Sequence, residues 1–371
     1  MAVLAAVRAC YFREKDGTMS SLEISSAADV AGAAAGRATV EASMIPAITA
    51  NKTTSKALYA LFFVSGIPAL LYQIVWQRSL FAIYGVNVQS VTIVVTAFML
   101  GLGLGSLGGG ALSKRLSALL PAFGVIELAT AVYGLCSLHI FHWAAVFSAG
   151  AGPLATGVMS LALLLLPTML MGSTLPLLVT HTVRENRNVG ASVGALYAVN
   201  TLGSAAACFA AGMFVMWTFG QSGSVRLAAV LNAIVGASAL IWHFRTRAQR
   251  KHELGVEVVA NDCDQDGVAL RLPVSMALVA VSGVIALAYE IIWYRIFAFA
   301  TATDTRAFAY ILGMYLIGIA FGALVAERIC RAGEDTAAQR RLTGILVVVG
   351  NLVAFAIAPL ASYIVKSLGT P

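Results

Sequence analysis

From Lys56 to the end of the chain, apolar segments of about 20 to 30 residues recur, each closed by charges or by Gly, Ser and Pro turns. Such a segment, coiled as a helix, matches the ~30 Å hydrocarbon core of a bilayer. Nine are predicted, over 57–84, 88–112, 117–145, 153–182, 189–218, 223–244, 273–300, 305–329 and 342–365. Lipid offers no partners to backbone N–H and C=O groups, so each segment must satisfy its own and is read as a helix. Composition agrees: 59% of the 371 residues are hydrophobic and 11% charged, against about 25% charged in a soluble domain. A soluble globular fold and a disordered chain are thereby excluded. The five cysteines are odd in number and scattered, which excludes a disulfide scaffold.

The expected organisation is a disordered N-terminal tail over 1–55, a six-helix membrane half over 56–245, a polar cytoplasmic loop over 246–272, and a partial second half of three helices over 273–371. Lys and Arg set the orientation. With the first helix starting in the cytoplasm, fifteen of them, from Lys52 and Lys56 to Arg340 and Arg341, fall inside. Only Arg78, Arg226, Arg295, Arg306 and Lys366 fall outside, so the N-terminus is read as cytoplasmic. The net charge of +7 is therefore a topology signal, and no nucleic-acid partner is expected.

An internal repeat constrains the fold further. A step of 217 residues lays Ser-Gly-Ile-Pro-Ala-Leu-Leu-Tyr-Gln-Ile-Val-Trp-Gln-Arg (65–78) on Ser-Gly-Val-Ile-Ala-Leu-Ala-Tyr-Glu-Ile-Ile-Trp-Tyr-Arg (282–295), with eight of fourteen positions identical. Tyr72, Trp76 and Arg78 thus fall on Tyr289, Trp293 and Arg295, and the same step carries Gly101 to Gly318 and Gly105 to Gly322. Six helices precede the second copy, so both copies enter the membrane from the same side. That is the parallel arrangement of the two halves of a major facilitator fold, here with an incomplete second half. The part without a counterpart corresponds to about 153–245.

The Gly103-Leu104-Gly105-Ser106-Leu107-Gly108 run fits a dinucleotide fingerprint in letter only, since it lies inside an apolar span with no preceding strand. Gly101, Gly105 and Gly109, with Gly318 and Gly322, are read instead as helix-packing positions. Asp262 to Gly267 resembles the opening of a calcium loop but lacks its closing Glu, and His139 and His142 have no third ligand, so neither a metal nor a cofactor is expected.

Ionisable groups in lipid cost several kcal/mol unless paired or facing water. Glu127 and Glu290 are therefore candidates for a polar cavity between the halves, with Gln73, Asn200 and Asn351 as further lining and Asn351 as the apparent counterpart of Glu127. For Arg78 and Arg295, locking of helices or snorkelling to the headgroups is an equal alternative.

Four motifs in order then resemble the membrane domain of bacterial membrane-bound spermidine synthase-like proteins: 69–78, Ala-Phe-Met-Leu-Gly-Leu-Gly-Leu-Gly-Ser (97–106), Leu-Pro-Thr-Met-Leu-Met-Gly-Ser-Thr-Leu-Pro (166–176) and Gly-Ala-Leu-Tyr-Ala-Val-Asn-Thr-Leu-Gly (194–203). The resemblance implies a facilitator-like helical domain fused to a cytoplasmic aminopropyltransferase, in the bacterial inner membrane. Two departures stand out. Gln73 replaces a frequent Glu, and Ser113-Lys114-Arg115 lacks the acid of the related facilitator loop. Aminopropyl transfer needs a Rossmann-like sheet with an acidic pocket, and 1–371 shows no such pattern, so no catalysis is expected of this chain alone. Two functions are expected in its stead: movement or sensing of a small cationic solute such as a polyamine, or anchoring of a separate synthase domain or protein.

Overall fold

The computed structural model describes residues 52–84, 88–148, 150, 152–186, 188–250, 272–300, 305–332 and 336–367. The tail expected over 1–55 falls outside these residues except for its last four positions, which begin a helix. Most of the 246–272 loop, with Asp262 to Gly267, also lies outside them; its first residues continue the preceding helix to Arg250.

The described residues are helical apart from short connections, with no strand among them. The helices are α1 (Lys52–Tyr84), α2 (Val88–Arg115), α3 (Leu119–Phe147), α4 (Pro153–Asn186), α5 (Val189–Ala210), α6 (Met216–Arg250), α7 (Leu272–Ala300), α8 (Thr305–Ala332) and α9 (Thr336–Ser367), with a π-helical turn, Ala211–Val215, between α5 and α6. Seven stretches among the described residues are long and apolar enough to cross a membrane. One of them, Val189–Thr246, is 58 residues long. A straight helix of that length would reach about 87 Å, nearly three hydrocarbon thicknesses. It is broken at Gly220, whose φ of +63° is open to glycine and strained for other residues. In α9 the apolar stretch shortens to Arg341–Ile357.

Contacts between helices fix their directions. The Asn200 side chain donates to the Phe62 carbonyl and Ser204 to that of Gly66, so α5 runs alongside α1 in the same sense. Ser65 meets Glu127 and Trp76 meets Ser137, so α3 also runs with α1. Gly101 and Gly105 of α2 abut Thr168 and Met169 of α4 in parallel, and Gly124 of α3 faces Gly236 and Leu240 of α6 in the opposite sense. α8 runs against α5 and the π-helical turn that follows it, from Gly212 beside Tyr310 to Gly190 beside Cys330. Lys56, Lys114, Arg115, Arg184, Arg245 and Arg331 consequently gather at one end of the bundle.

α3 sorts its residues as a bilayer requires. α3 buries Phe123, Glu127, Thr130, Gly134, Ser137 and Phe141 along one face. Its other face exposes Val125, Val132, Leu135 and Val146, an apolar outer surface that water would penalise and lipid accepts. The exposed, stacked Trp143 and Phe147 at the end of α3 and the exposed Trp217 and Phe219 after α5 lie at the end opposite the cations, as interfacial aromatics do.

Breaks in the hydrogen-bond ladder are repaired locally. Pro167 has no N–H for the carbonyl of Leu163, and the Tyr133 hydroxyl donates to that carbonyl at 2.6 Å. Arg184 donates from its guanidinium to the carbonyls of Ser113, Leu116 and Ser117, capping the end of α2.

Candidate functional site

α1 packs against α3, α5 and α6, and two of its faces carry different chemistry. Ser65, Tyr72, Trp76 and Ser79 recur at helical spacing and point toward α3 and α6. Tyr72 and Trp76 are both fully buried and stacked, 5.0 Å apart. The indole Nε1 donates to Ser137 at 2.9 Å, and Phe98, Tyr133 and Phe141 surround the Trp76 ring at about 6 Å. Gly134 makes room for the Tyr72 ring: a Cβ there would lie inside it.

Glu127 lies near the Tyr72 end of that stack. It is 4% exposed, and the Ser65 hydroxyl donates to its Oε1 at 2.6 Å. Tyr72 lies near both Glu127 and Asn232, yet its own hydroxyl oxygen lacks a hydrogen-bond partner. Gln73 and Gln77, four residues apart and both buried, leave Nε2 and Oε1 unpartnered. A buried polar atom without a partner costs roughly 1–3 kcal/mol, so these groups mark polar ground inside an apolar bundle.

Glu290 of α7 occupies a second polar position, 9% exposed, with its Oε1 unpartnered. It lies close to Tyr315 of α8, which in turn lies near Tyr197 of α5. The Tyr315 hydroxyl donates to the Ala286 carbonyl at 3.4 Å, tying α8 to α7. A carboxylate beside an aromatic ring is suited to an organic ammonium group, which gains from both.

The five expected cavity residues do not share one set of contacts. Asn200 spends its amide on the Phe62 carbonyl, locking α5 to α1. Asn351 donates to Val347 of its own helix at 2.8 Å, and its backbone oxygen accepts from Tyr289 at 3.5 Å. That contact spans 62 residues, and the same step leads from Tyr72 to Gly134. Asn351 therefore corresponds to Gly134, and the expected match with Glu127 is corrected; the 217-residue step carries Glu127 to Gly344.

The packing glycines also divide. A Cβ at Gly101, Gly105 or Gly109 would enter Thr168, Met169 or Ser173 of α4, whereas at Gly318 and Gly322 it would meet nothing within 4 Å among the described residues. Gly318 and Gly322 thus meet no second helix among the described residues. Arg78 is partly buried and Arg295 exposed at the end of its motif. Ser65, Asn232, Tyr197 and Tyr315 escaped the sequence reading. Ser65 heads the repeated motif, which was a usable signal, but the others join their partners only through distant helices.

No protein-family description matches the chain, and no solved structure matches it. Two curated proteins do, both from Streptomyces coelicolor (strain ATCC BAA-471 / A3(2) / M145). Polyamine aminopropyltransferase 2 is 28% identical over 194 residues, 51% of this chain and 34% of that protein. Polyamine aminopropyltransferase 1 is 25% identical over 195 residues, 52% of this chain and 35% of that protein. The chain thus spans about a third of the length of these relatives and shares with them a distant similarity over half of itself.

Proposed function

We propose that residues 52–371 form a facilitator-like membrane domain of nine helices, with 56–245 as one half and 273–371 as a partial second half repeated in the same direction. In this reading the domain sits in the bacterial inner membrane with its cationic end in the cytoplasm, and it binds a small cationic solute of the polyamine class. Orientation is supported by the cations gathered at one end of the bundle and the aromatics at the other. The polyamine class is supported by the distant similarity to two proteins named polyamine aminopropyltransferase.

The observation that carries the reading is Glu290. A nearly buried carboxyl group in a lipid-spanning helix, with an unpartnered oxygen and Tyr315 nearby, is costly to keep unless a ligand uses it. Glu127 supplies a second acid, so two carboxylates stand available to spaced ammonium groups. Binding of labelled spermidine to purified protein, followed by uptake into proteoliposomes, tests this. Binding should fall at least about tenfold in Glu290→Gln, the equivalent of one charged contact. Folded protein that neither binds nor transports spermidine would overturn it.

A second reading is favoured by one further observation: α7 and α9 meet the rest of the bundle over far less surface than α8 does. A domain so assembled could serve as a membrane anchor or scaffold for an aminopropyltransferase domain or protein, without moving solute. Spermidine binding without uptake, together with retention of a synthase on the membrane, would select this reading.

A further inference from the structure

α8 is the main attachment of the 272–367 stretch to the first six helices, since α7 and α9 meet little beside it and each other. Its seam with α5 and the π-helical turn is chemically unlike at its two ends. Away from the cations, Gly212 abuts Tyr310 and Ala309, Gly313 abuts Phe209 and Cys208, and the Phe209 and Tyr310 rings lie 6.2 Å apart. Ala309 and Leu312 belong there to an apolar core. At the cationic end one polar side chain closes the seam. Asn188 donates from Nδ2 to the Cys330 carbonyl at 3.2 Å and accepts at Oδ1 from the Ala191 N–H at 2.9 Å.

Both groups that Asn188 satisfies are ones a helix leaves open, because the first N–H and last C=O groups have no partner within it. A single amide thus caps the start of α5 and ties it to the end of α8, where opposite helix dipole ends stand side by side. Gly190 and Gly194 offer α8 no side chain to interlock with: a Cβ at Gly190 would lie 2.6 Å from the Cys330 sulfur, and one at Gly194 would lie 2.7 Å from the Glu327 Cβ. Asn188 is itself partly exposed, so water can replace its bond to Cys330. The net worth of such a bond is a factor of about two to ten in a population. Opening the other end would pull Phe209, Tyr310 and Leu312 out of close packing, a much larger loss. The seam is therefore weakest at Asn188. Tyr197 and Tyr315 stand on α5 and α8 between the two ends, and Glu290 lies close to Tyr315.

We propose that Asn188 is a clasp on the cationic end of the α5–α8 seam, and that its release sets how fast a cation reaches Glu290 from that end. The inference rests on the reading of Glu290 as the cation-binding acid. In the clasped form the amide holds both helix ends. On release, water takes over the Cys330 carbonyl, α8 swings about its Phe209–Tyr310 contact, and the Cys330 sulfur is uncovered. Asn188 acts by position, without touching the ligand, so entry and exit change together and the affinity at Glu290 stays the same.

The test uses the full chain in lipid nanodiscs, with Cys10, Cys136, Cys208 and Cys263 replaced by alanine. A water-soluble maleimide should label Cys330 about two- to tenfold faster in Asn188→Asp than in the parent. Asn188→Asp keeps the oxygen that caps Ala191 and loses the donor to Cys330, so a role in capping alone would leave the labelling rate unmoved. In a second variant, Gly190→Cys, the Cβ at position 190 stands 2.9 Å from the Cys330 Cβ, so a shift of about 1 Å permits a disulfide. Labelled spermidine should exchange at least about tenfold more slowly with the oxidised than with the reduced variant, at unchanged Kd and with full recovery in reductant. Equal labelling of the parent and Asn188→Asp, or exchange unmoved by a fully formed disulfide, overturns the clasp alone. Absence of spermidine binding from every form overturns the Glu290 reading and, with it, the control of entry.

Discussion

Residues 65–78 and 282–295 share eight of fourteen positions, yet Tyr72 and Trp76 are wholly enclosed while Tyr289 and Trp293 remain partly exposed. Their helices have the same secondary structure and much the same apolar content. What separates them is the company they keep: α1 is walled by α3, α5 and α6, whereas α7 touches mainly α8 and α9. A motif can therefore be preserved for a surface that only some of its copies find covered. Burial, not the motif, decides how much each residue contributes.

That contrast can be broken most directly at the glycines. Gly105→Leu drives a side chain into the Met169 backbone and should destabilise the protein by about 3 kcal/mol or prevent folding, while Gly322→Leu should stay within about 0.5 kcal/mol in thermal unfolding. Next in size, Trp76→Ala should cost about 3–5 kcal/mol, because it empties an enclosed site, and Trp293→Ala about 1 kcal/mol in the same assay. A smaller difference is expected at the paired serines. Ser65→Ala removes the hydroxyl that donates to Glu127 and should cost about 1.5–3 kcal/mol, and exposed Ser282→Ala almost nothing. The smallest effect has the opposite sign: Tyr72→Phe deletes a buried hydroxyl oxygen without a partner and should leave stability unchanged or slightly raised, which chemical denaturation would reveal. Equal costs within the glycine and tryptophan pairs would show that the two segments are packed alike.

Much of the helical layout was legible in the chain. The expected span 153–182 lies within Pro153–Asn186, and 305–329 within Thr305–Ala332, because apolar length and flanking charge are local properties. The separate expected spans 189–218 and 223–244 flank Gly220, where the backbone breaks. Less was legible at the candidate site. Glu127 and Glu290 stood out as acids in apolar runs, but Ser65, Tyr197 and Tyr315 are ordinary residues until a neighbouring helix turns them toward a carboxyl group. Asn200 and Asn351 looked like cavity lining because an amide in an apolar run has no local partner; each found one in a backbone carbonyl.

By itself the sequence determined where helices form, since each closes its own hydrogen bonds within four residues and needs only sufficient apolar length. It also determined that one motif occurs twice. Which glycine rows meet a backbone, which carboxyl groups gain a donor and which tryptophan becomes a core were decided only by tertiary packing. Those outcomes depend on contacts between residues tens to hundreds of positions apart, and no local property of either partner encodes the meeting.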